Sequence, residues 1–203
     1  MKKIIPQLCR LYPLHKGRGR IVQTKIYRRF AERFVSPIPV KLKDGQIILV
    51  YPLDYTGSMI FLYGDLDPSI TWVLRKLIEP GDTVVDVGAN VGIVSIQASK
   101  LCGHGGRVIS FEPNPDVYGL LKQSLMINNI MNVSAYNVAL SSDKDTVRLS
   151  LPHNKSGSAM IINDKSEKSI SIEAERMDSY KELFNGTIKL LKIDHNHPIR
   201  NSW

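Results

Sequence analysis

The chain has 203 residues, of which 43% are hydrophobic, and a formal net charge of +8. This is enough for one globular domain with an extension, and too little for two unrelated folded domains. The first 43 residues carry twelve Lys or Arg against the single acid Glu32, whereas the remainder carries fifteen against eighteen acids. Because the basicity is confined to one terminal arm, the charge does not indicate a nucleic-acid partner.

The two cysteines, Cys9 and Cys102, match no metal or redox spacing. We therefore expect free thiols in a reducing compartment. The N-terminus lacks the apolar core of a secretory signal, and no apolar run is long enough to span a bilayer. These features favour a cytoplasmic protein.

The basic arm contains apolar residues at helical spacing between residues 20 and 34. They are Val22, Ile26, Tyr27, Phe30 and Phe34. The pattern predicts an amphipathic helix that ends before Ser36-Pro-Ile-Pro39, because neither proline can continue it. We expect its apolar stripe to pack on the rest of the protein. Peripheral contact with an anionic membrane or polymer is the alternative.

Turn and capping signals follow the amphipathic helix. Asp44-Gly45 between the segments 40–43 and 46–50 predicts a β-hairpin. Asp67 followed by Pro68 predicts a capped helix start. We therefore divide the chain into a basic arm with helix and hairpin, residues 1–54, and a main domain, residues 55–203.

Strand and helix patterns alternate through the main domain. Strands are predicted at 83–88, 107–112, 133–139 and 188–193, and helices at 91–102, 115–127 and, as a short one, 177–184. This alternation predicts an α/β fold with a parallel sheet. Three short β-branched runs at 147–151, 159–162 and 169–172 predict a β-insertion, which could form a rim over the ligand face.

The first of these strands leads into a glycine-bearing loop, Asp86-Val-Gly-Ala-Asn-Val-Gly92. The spacing of Gly88 and Gly92 fits neither the dinucleotide fingerprint nor a phosphate P-loop. A carboxylate beside the loop, Asp86, would repel a phosphate and favour a sulfonium or an ammonium group. S-adenosylmethionine carries both groups.

A second acid, Glu112, ends the next predicted strand, 26 residues after Asp86. In nucleoside-binding α/β folds an acid at this point can accept hydrogen bonds from both ribose hydroxyls. Taken alone, Glu112 is equally well a surface acid at a strand end. Its spacing from the Asp86 loop favours the ligand role.

Four segments resemble successive motifs of the FkbM family of S-adenosylmethionine-dependent methyltransferases. They are Asp86-Val-Gly-Ala-Asn-Val-Gly92, Phe111-Glu-Pro-Asn-Pro115, Ala139-Leu-Ser141 and Leu190-Leu-Lys-Ile-Asp194. The resemblance covers residues 55–194. It implies a class I methyltransferase-like, Rossmann-like parallel sheet, S-adenosylmethionine as cofactor, and O-methylation of a hydroxyl on a small molecule or saccharide.

The chain departs from the family pattern after Asp194, where His195-Asn-His197 replaces Val-Glu-Gly. We therefore expect a sheet that is truncated after its fourth core strand, whose open edge could pair with another chain in an oligomer. A catalytically inactive cofactor-binding remnant is an alternative to an active enzyme. The histidines suggest a metal site with Asp194, but a His-x-His pair is more often chance, and no metal is expected.

The candidate site residues are drawn from these motifs. Cofactor contacts are expected from Asp86, Gly88, Ala89, Asn90, Gly92, Glu112, Pro113, Ala139 and Tyr63. Asn90 either bonds the methionine end or tolerates a left-handed backbone. Ala139 lies against adenine or in the core, and Tyr63 closes over the cofactor or packs internally. Asp194 is the tentative catalytic residue, with a strand-end capping role as the alternative.

Overall fold

The structure, a computed structural model, describes residues 6, 9, 10, 17–150, 160–162, 169–184 and 186–194, with the side chains of 160–162 left aside. The helices are α1 (Arg18–Val22), α2 (Lys25–Ala31), α3 (Tyr55–Tyr63), α4 (Pro68–Leu77), α5 (Ile93–Cys102), α6 (Pro115–Ile127) and a 3₁₀ helix (Met177–Phe184). The strands are β1 (Ile38–Lys41), β2 (Ile47–Val50), β3 (Thr83–Val87), β4 (Arg107–Phe111), β5 (Val133–Tyr136), β6 (Ala139–Leu140), β7 (Asp145–Ser150), β8 (Met160–Ile162), β9 (Ser169–Glu175) and β10 (Ile188–Ile193).

A parallel sheet in the order β10-β3-β4-β5 forms the centre of the fold. Every residue of β3 is buried, because Val84 faces one apolar cluster and Val85 and Val87 face another. Helix α5 packs on one face, and Tyr180 of the 3₁₀ helix lies against Phe111 on the other. Covering on both faces is typical of a parallel sheet, which the alternation of strands and helices predicted. The α/β class I methyltransferase-like fold is confirmed.

Helix α6 spans the predicted range 115–127, and α5 ends at the predicted residue 102 but begins at Ile93, two residues later than predicted. Gly103, with φ of 63°, ends α5. Asn114 caps α6 by accepting a hydrogen bond at Oδ1 from Asp116 N at 3.0 Å, and Pro115 occupies the first helical position. Gly103 adopts a positive φ that favours glycine, Asn114 accepts from a terminal amide, and Pro115 has no amide to satisfy, so the local sequence determines these ends.

The predicted strand 133–139 is wrong as a single element. The Asn137 side chain donates to Glu112 O at 2.8 Å and Pro113 O at 3.0 Å, which breaks the strand between β5 and β6. Strand β6 instead joins a second sheet in the order β6-β9-β7-β8. The predicted β-insertion is therefore confirmed, and its role as a rim stays a prediction.

The predicted helix between residues 20 and 34 is also two elements. Thr24 accepts a hydrogen bond at Oγ1 from Tyr27 N at 3.2 Å, and so starts α2 anew. Tyr27 and Ala31 are buried, whereas Arg28 and Arg29 are exposed. The packing of the apolar stripe is confirmed except at Ile26, which is 86% exposed, and a contact with an anionic surface stays a prediction.

The β1–β2 hairpin is confirmed and docks on α6. Leu49 N donates to Ser124 Oγ at 2.9 Å, and Ile47 N donates to Asn128 Oδ1 at 2.8 Å. Helix α3 follows directly and was not predicted. Since apolar residues before and after residue 54 share one cluster, the two parts pack together, and their division there stays a prediction.

The remaining predictions have mixed outcomes. The predicted capped start is confirmed, because Asp67 Oδ1 accepts a hydrogen bond from Ser69 N at 2.8 Å. Only Leu74 of this helix is buried. Cys9 and Cys102 are free. None of the helices in the described ranges is long and apolar enough to cross a membrane. The histidines at 195 and 197 lie outside the described residues.

Candidate cofactor site

The glycine loop after β3 folds over the end of β4. Gly88 N and Ala89 N both donate to Phe111 O, at 2.9 Å and 3.0 Å. Val87 and Phe111 are the last paired residues of the two strands. The loop therefore lies at the carboxyl edge of the sheet, where open α/β sheets bind ligands.

Gly92 gives the loop its entry into α5. It is the N-cap residue with φ of 93°, and a Cβ at this position would lie 2.2 Å from Leu121 Cδ1. Glycine is required both by the left-handed backbone and by the close approach of α6. The group that comes close to the backbone here is the side chain of Leu121.

Glu112 meets the loop from the end of β4. Its Oε2 accepts a hydrogen bond from Asn90 N at 2.7 Å, and its Oε1 accepts one from Asn114 N at 2.9 Å. The carboxylate thus joins the loop to the start of α6. The structure brings together the two motifs that the sequence paired, and the ribose contact itself stays a prediction.

Burial raises the pKa of the Glu112 carboxyl to about 7. The two amide hydrogen bonds and the positive charge of Lys192 oppose this shift, and the negative charge of Asp86 adds to it. Desolvation disfavours the charged form more than two amide donors favour it. Glu112 therefore holds a proton more tightly than an exposed glutamate does.

Asp86 is the centre of a buried polar network. Its Oδ2 accepts a hydrogen bond from Ser95 Oγ at 2.6 Å, and Ser95 Oγ lies 2.8 Å from Ser110 Oγ. All three side chains are fully buried. Because Ser95 has one hydroxyl proton and gives it to the carboxylate, Ser110 must be the donor to Ser95.

Lys192 closes this network from β10, where it is paired with Asp86. Its ammonium donates to Gly88 O at 2.7 Å and Val87 O at 3.2 Å. It also lies 3.0 Å from Asp86 Oδ1, an ion-pair contact without hydrogen-bond geometry. The ammonium therefore ties the fourth strand to the glycine loop and balances the buried carboxylate.

The pairing of Asp86 corrects one step of the sequence argument. That step counted Asp86 as an uncompensated negative charge that attracts a sulfonium. In the structure its side chain is inaccessible to solvent and its charge is compensated by Lys192. The opposite charges of a buried ion pair largely offset each other at a distance. Asp86 therefore serves here to hold Lys192 and Ser95 beside the loop. Its direct contact with a cofactor stays a prediction.

Two predicted site residues lie at the accessible part of the edge. Asn90 is the one residue of the loop 86–92 that is not buried; its φ of 53° is left-handed, and its Oδ1 accepts from Val91 N at 2.8 Å. The left-handed alternative is therefore confirmed. Asp194 N donates to Val87 O at 3.1 Å, which places Asp194 beside the loop with a partly exposed side chain.

Three predicted site residues outside the glycine loop are buried: Tyr63, Ala139 and Pro113. The Tyr63 ring is fully buried under the guanidinium of Arg18, so its packing role is the one the structure shows. Ala139 is buried on β6, where it pairs with Ala174 of β9. Pro113 is buried and accepts a hydrogen bond from Asn137. Their cofactor contacts stay predictions.

Four residues of the site were not predicted from the sequence: Lys192, Ser95, Ser110 and Asn137. A lysine within the apolar strand β10 was the available signal, because a basic side chain in a core strand needs a counter-ion nearby. The serines gave no such signal. Their involvement depends on the register that places Ser110 opposite Asp86.

A parallel α/β sheet with a glycine loop after one strand and an acid after its neighbour defines a Rossmann-like domain of the class I methyltransferase type. The model of the methyltransferase FkbM domain matches residues 86–195, which is more than half of the chain. The chain belongs to the FkbM methyltransferase domain family, and the expected cofactor, S-adenosylmethionine, is confirmed at that level.

Solved methyltransferase structures are similar to this chain over part of its length. A SAM-dependent methyltransferase from Aquifex aeolicus is 25% identical, covering 34% of this chain and 41% of its own, with a TM-score of 0.32. Precorrin-6y C5,15-methyltransferase from Geobacter metallireducens is 29% identical, covering 34% of this chain and 35% of its own, with a TM-score of 0.30. TYW2 from P. horikoshii, solved with MeSAdo, is 18% identical, covering 53% of this chain and 43% of its own, with a TM-score of 0.39. The chain thus spans less than half the length of each of these structures.

Proposed function

We propose that this chain binds S-adenosylmethionine at the carboxyl edge of β3 and β4 and transfers a methyl group to a hydroxyl oxygen of a small molecule or saccharide. The observation that carries the proposal is the direct contact between the glycine loop and Glu112 through Asn90 N, at 2.7 Å. It joins the two motifs that the family shares into one site.

The donor set at this edge suits a nucleoside linked to an amino acid. The Glu112 carboxyl can accept hydrogen bonds from vicinal hydroxyls, and the partly exposed Asn90 amide can donate to a carboxylate. Glu112 is 4% exposed, so ribose binding requires its oxygens to turn from the amides or to share them.

When bound, S-adenosylmethionine supplies an activated methyl group, which the acceptor oxygen takes in an in-line displacement that leaves the bonding electrons on sulfur. The chain's own residues align the partners and remove the hydroxyl proton. Asp194 follows the end of β10 beside the loop, and we assign it this base role.

Isothermal titration calorimetry with S-adenosylmethionine tests the binding step. We expect Glu112→Ala to weaken binding at least tenfold, because two hydroxyl hydrogen bonds are lost. Glu182→Ala is the matched control, since Glu182 is exposed on the 3₁₀ helix. Absence of binding to the unmodified chain would overturn the proposal.

Methyl transfer is tested with radiolabelled cofactor and pairs of acceptors, each a hydroxylated compound and its amino analogue. Transfer to the hydroxylated member, lost in Asp194→Asn, supports O-methylation. Transfer only to the amino member contradicts it. Cofactor binding without transfer to any acceptor would favour the alternative of an inactive cofactor-binding domain.

A further inference from the structure

The ion pair between Lys192 and Asp86 lies directly under the proposed cofactor loop. The Lys192 ammonium contacts Val87 O, Gly88 O and Asp86 Oδ1, at 3.2 Å, 2.7 Å and 3.0 Å. These atoms belong to the strand end and to the first glycine of the loop. A change in charge at this pair is therefore a change in the electrostatic environment of the loop.

The pair is electrically neutral as a unit, and its two members differ in accessibility. Asp86 is fully buried, whereas the Lys192 side chain is 22% exposed and lies nearer the surface of the edge. Both influence the titration of Glu112, in opposite directions. The two charges thus act in opposite directions on Glu112, at the position where we place the nucleoside.

We infer that Lys192 is a specificity-determining residue of the cofactor site, because its ammonium cancels the Asp86 charge and so limits how strongly the loop prefers a positively charged ligand. The inference rests on the proposed function. The relevant ligands are S-adenosylmethionine, with its positive sulfonium, and its demethylated product S-adenosylhomocysteine, with a neutral thioether. They share every other group.

This single difference in charge separates an electrostatic role from a structural one. A loop that is merely loosened should bind both ligands less well by the same factor. A loop that carries an uncompensated charge should change the ratio of the two dissociation constants. Lys192→Met leaves the Asp86 carboxylate uncompensated, and Asp86→Asn leaves the Lys192 ammonium uncompensated, so the two variants must act in opposite directions.

The experiment measures both dissociation constants by calorimetry at one fixed pH and compares the two ligands within each variant. Lys192 and Asp86 both influence the Glu112 pKa, and within one variant the ionisation of Glu112 before binding is the same for both ligands. We expect Lys192→Met to change the ratio of the two dissociation constants by on the order of tenfold in favour of S-adenosylmethionine binding. Asp86→Asn should change the ratio in favour of S-adenosylhomocysteine binding. Lys192→Met combined with Asp86→Asn should restore the original ratio, and Lys192→Arg should preserve it.

Lys189→Met is the matched control, because Lys189 is an exposed lysine of the same strand. If Lys192→Met does not fold, the opposite shift in Asp86→Asn still decides the matter. Equal weakening of both ligands in the folded variants overturns the inference and leaves the proposed function intact. Failure of both ligands to bind the unmodified chain overturns the two together.

Discussion

At the carboxyl edge of the parallel sheet, the buried Asp86 carboxylate contacts Lys192 and Ser95. In the N-terminal segment, the buried Arg18 guanidinium lies 4.6 Å above the centre of the Tyr63 ring. Arg18 Nε and Nη1 donate no hydrogen bond to any residue in the part of the chain that the structure describes. The Asp86 charge is thus stabilised by an opposite charge and a hydroxyl hydrogen bond, whereas the Arg18 charge is stabilised by an aromatic face.

This difference bears on what each region can tolerate. Removing one member of a connected ion pair leaves the other charge buried and uncompensated. Removing the Arg18 guanidinium, whose Nε and Nη1 have no hydrogen-bond partner among the described residues, takes away a cation–π contact but also a desolvation cost. We therefore expect the sheet edge to be sensitive to single substitutions and the arm to be tolerant.

The largest effect is expected from Lys192→Met, which should lower the free energy of unfolding by about 3 kcal/mol or more, because Asp86 loses its counter-ion. Urea denaturation measures it. The control Lys189→Met should change stability by less than about 0.5 kcal/mol, since Lys189 and Asp82 form only a partly exposed pair at 4.0 Å. Similar losses in both variants would show that the buried pair has no special role.

The next effect concerns the loop glycine. Gly92 and Gly81 have nearly the same φ, 93° and 94°, but a Cβ on Gly81 meets nothing within 4 Å. Gly81→Ala should cost about 1 kcal/mol from backbone strain alone. Gly92→Ala should cost roughly 2 kcal/mol more, because its Cβ collides with Leu121.

Chemical denaturation of the two glycine variants, and of Gly92→Ala combined with Leu121→Ala, checks this account. The combined variant should be more stable than the sum of its single losses predicts. Strict additivity would argue against the close approach of α6 to the loop.

A smaller effect follows from the pKa of Glu112, which burial raises from 4.5 to about 7. Because the folded protein holds this proton more tightly than the unfolded chain, the contribution is fully present below pH 4.5 and is lost as the pH rises through about 7. Between pH 5 and pH 8 the loss amounts to roughly 2 kcal/mol.

Glu112→Gln should remove this component from the curve of stability against pH, whatever its effect at one pH. The curve is obtained from urea denaturation at several pH values. Glu182→Gln, on an exposed glutamate, should leave it unchanged. Parallel curves for the unmodified chain and Glu112→Gln would mean that Glu112 does not titrate in this range.

The smallest effect is expected in the arm. Arg18→Met should alter the free energy of unfolding by less than about 1 kcal/mol, since the lost cation–π contact and the relieved desolvation offset each other. Thermal unfolding of this variant beside Lys192→Met tests the comparison directly. A loss in Arg18→Met as large as that in Lys192→Met would remove the distinction between the two regions.

Much of the site could be predicted because its parts are local in sequence. A β-branched run followed by Gly88 and Gly92 predicts a strand, a turn and a helix start through backbone preferences alone. Glu112 was assigned by its position at the end of the next strand. The break at Asn137 could not be predicted, because it depends on carbonyls of Glu112 and Pro113 that come from a different strand.

By itself, the sequence determined the parallel α/β order, the loop that lies beside Glu112 and the family to which the chain belongs, since these follow from periodicity, capping residues and short motifs. Only the tertiary structure decided the charge at that loop. Lys192 and Asp86 are more than one hundred residues apart along the chain, and their pairing at 3.0 Å exists only because β10 lies next to β3 in register. Electrostatic compensation depends on distance in space, which no local pattern in the sequence records.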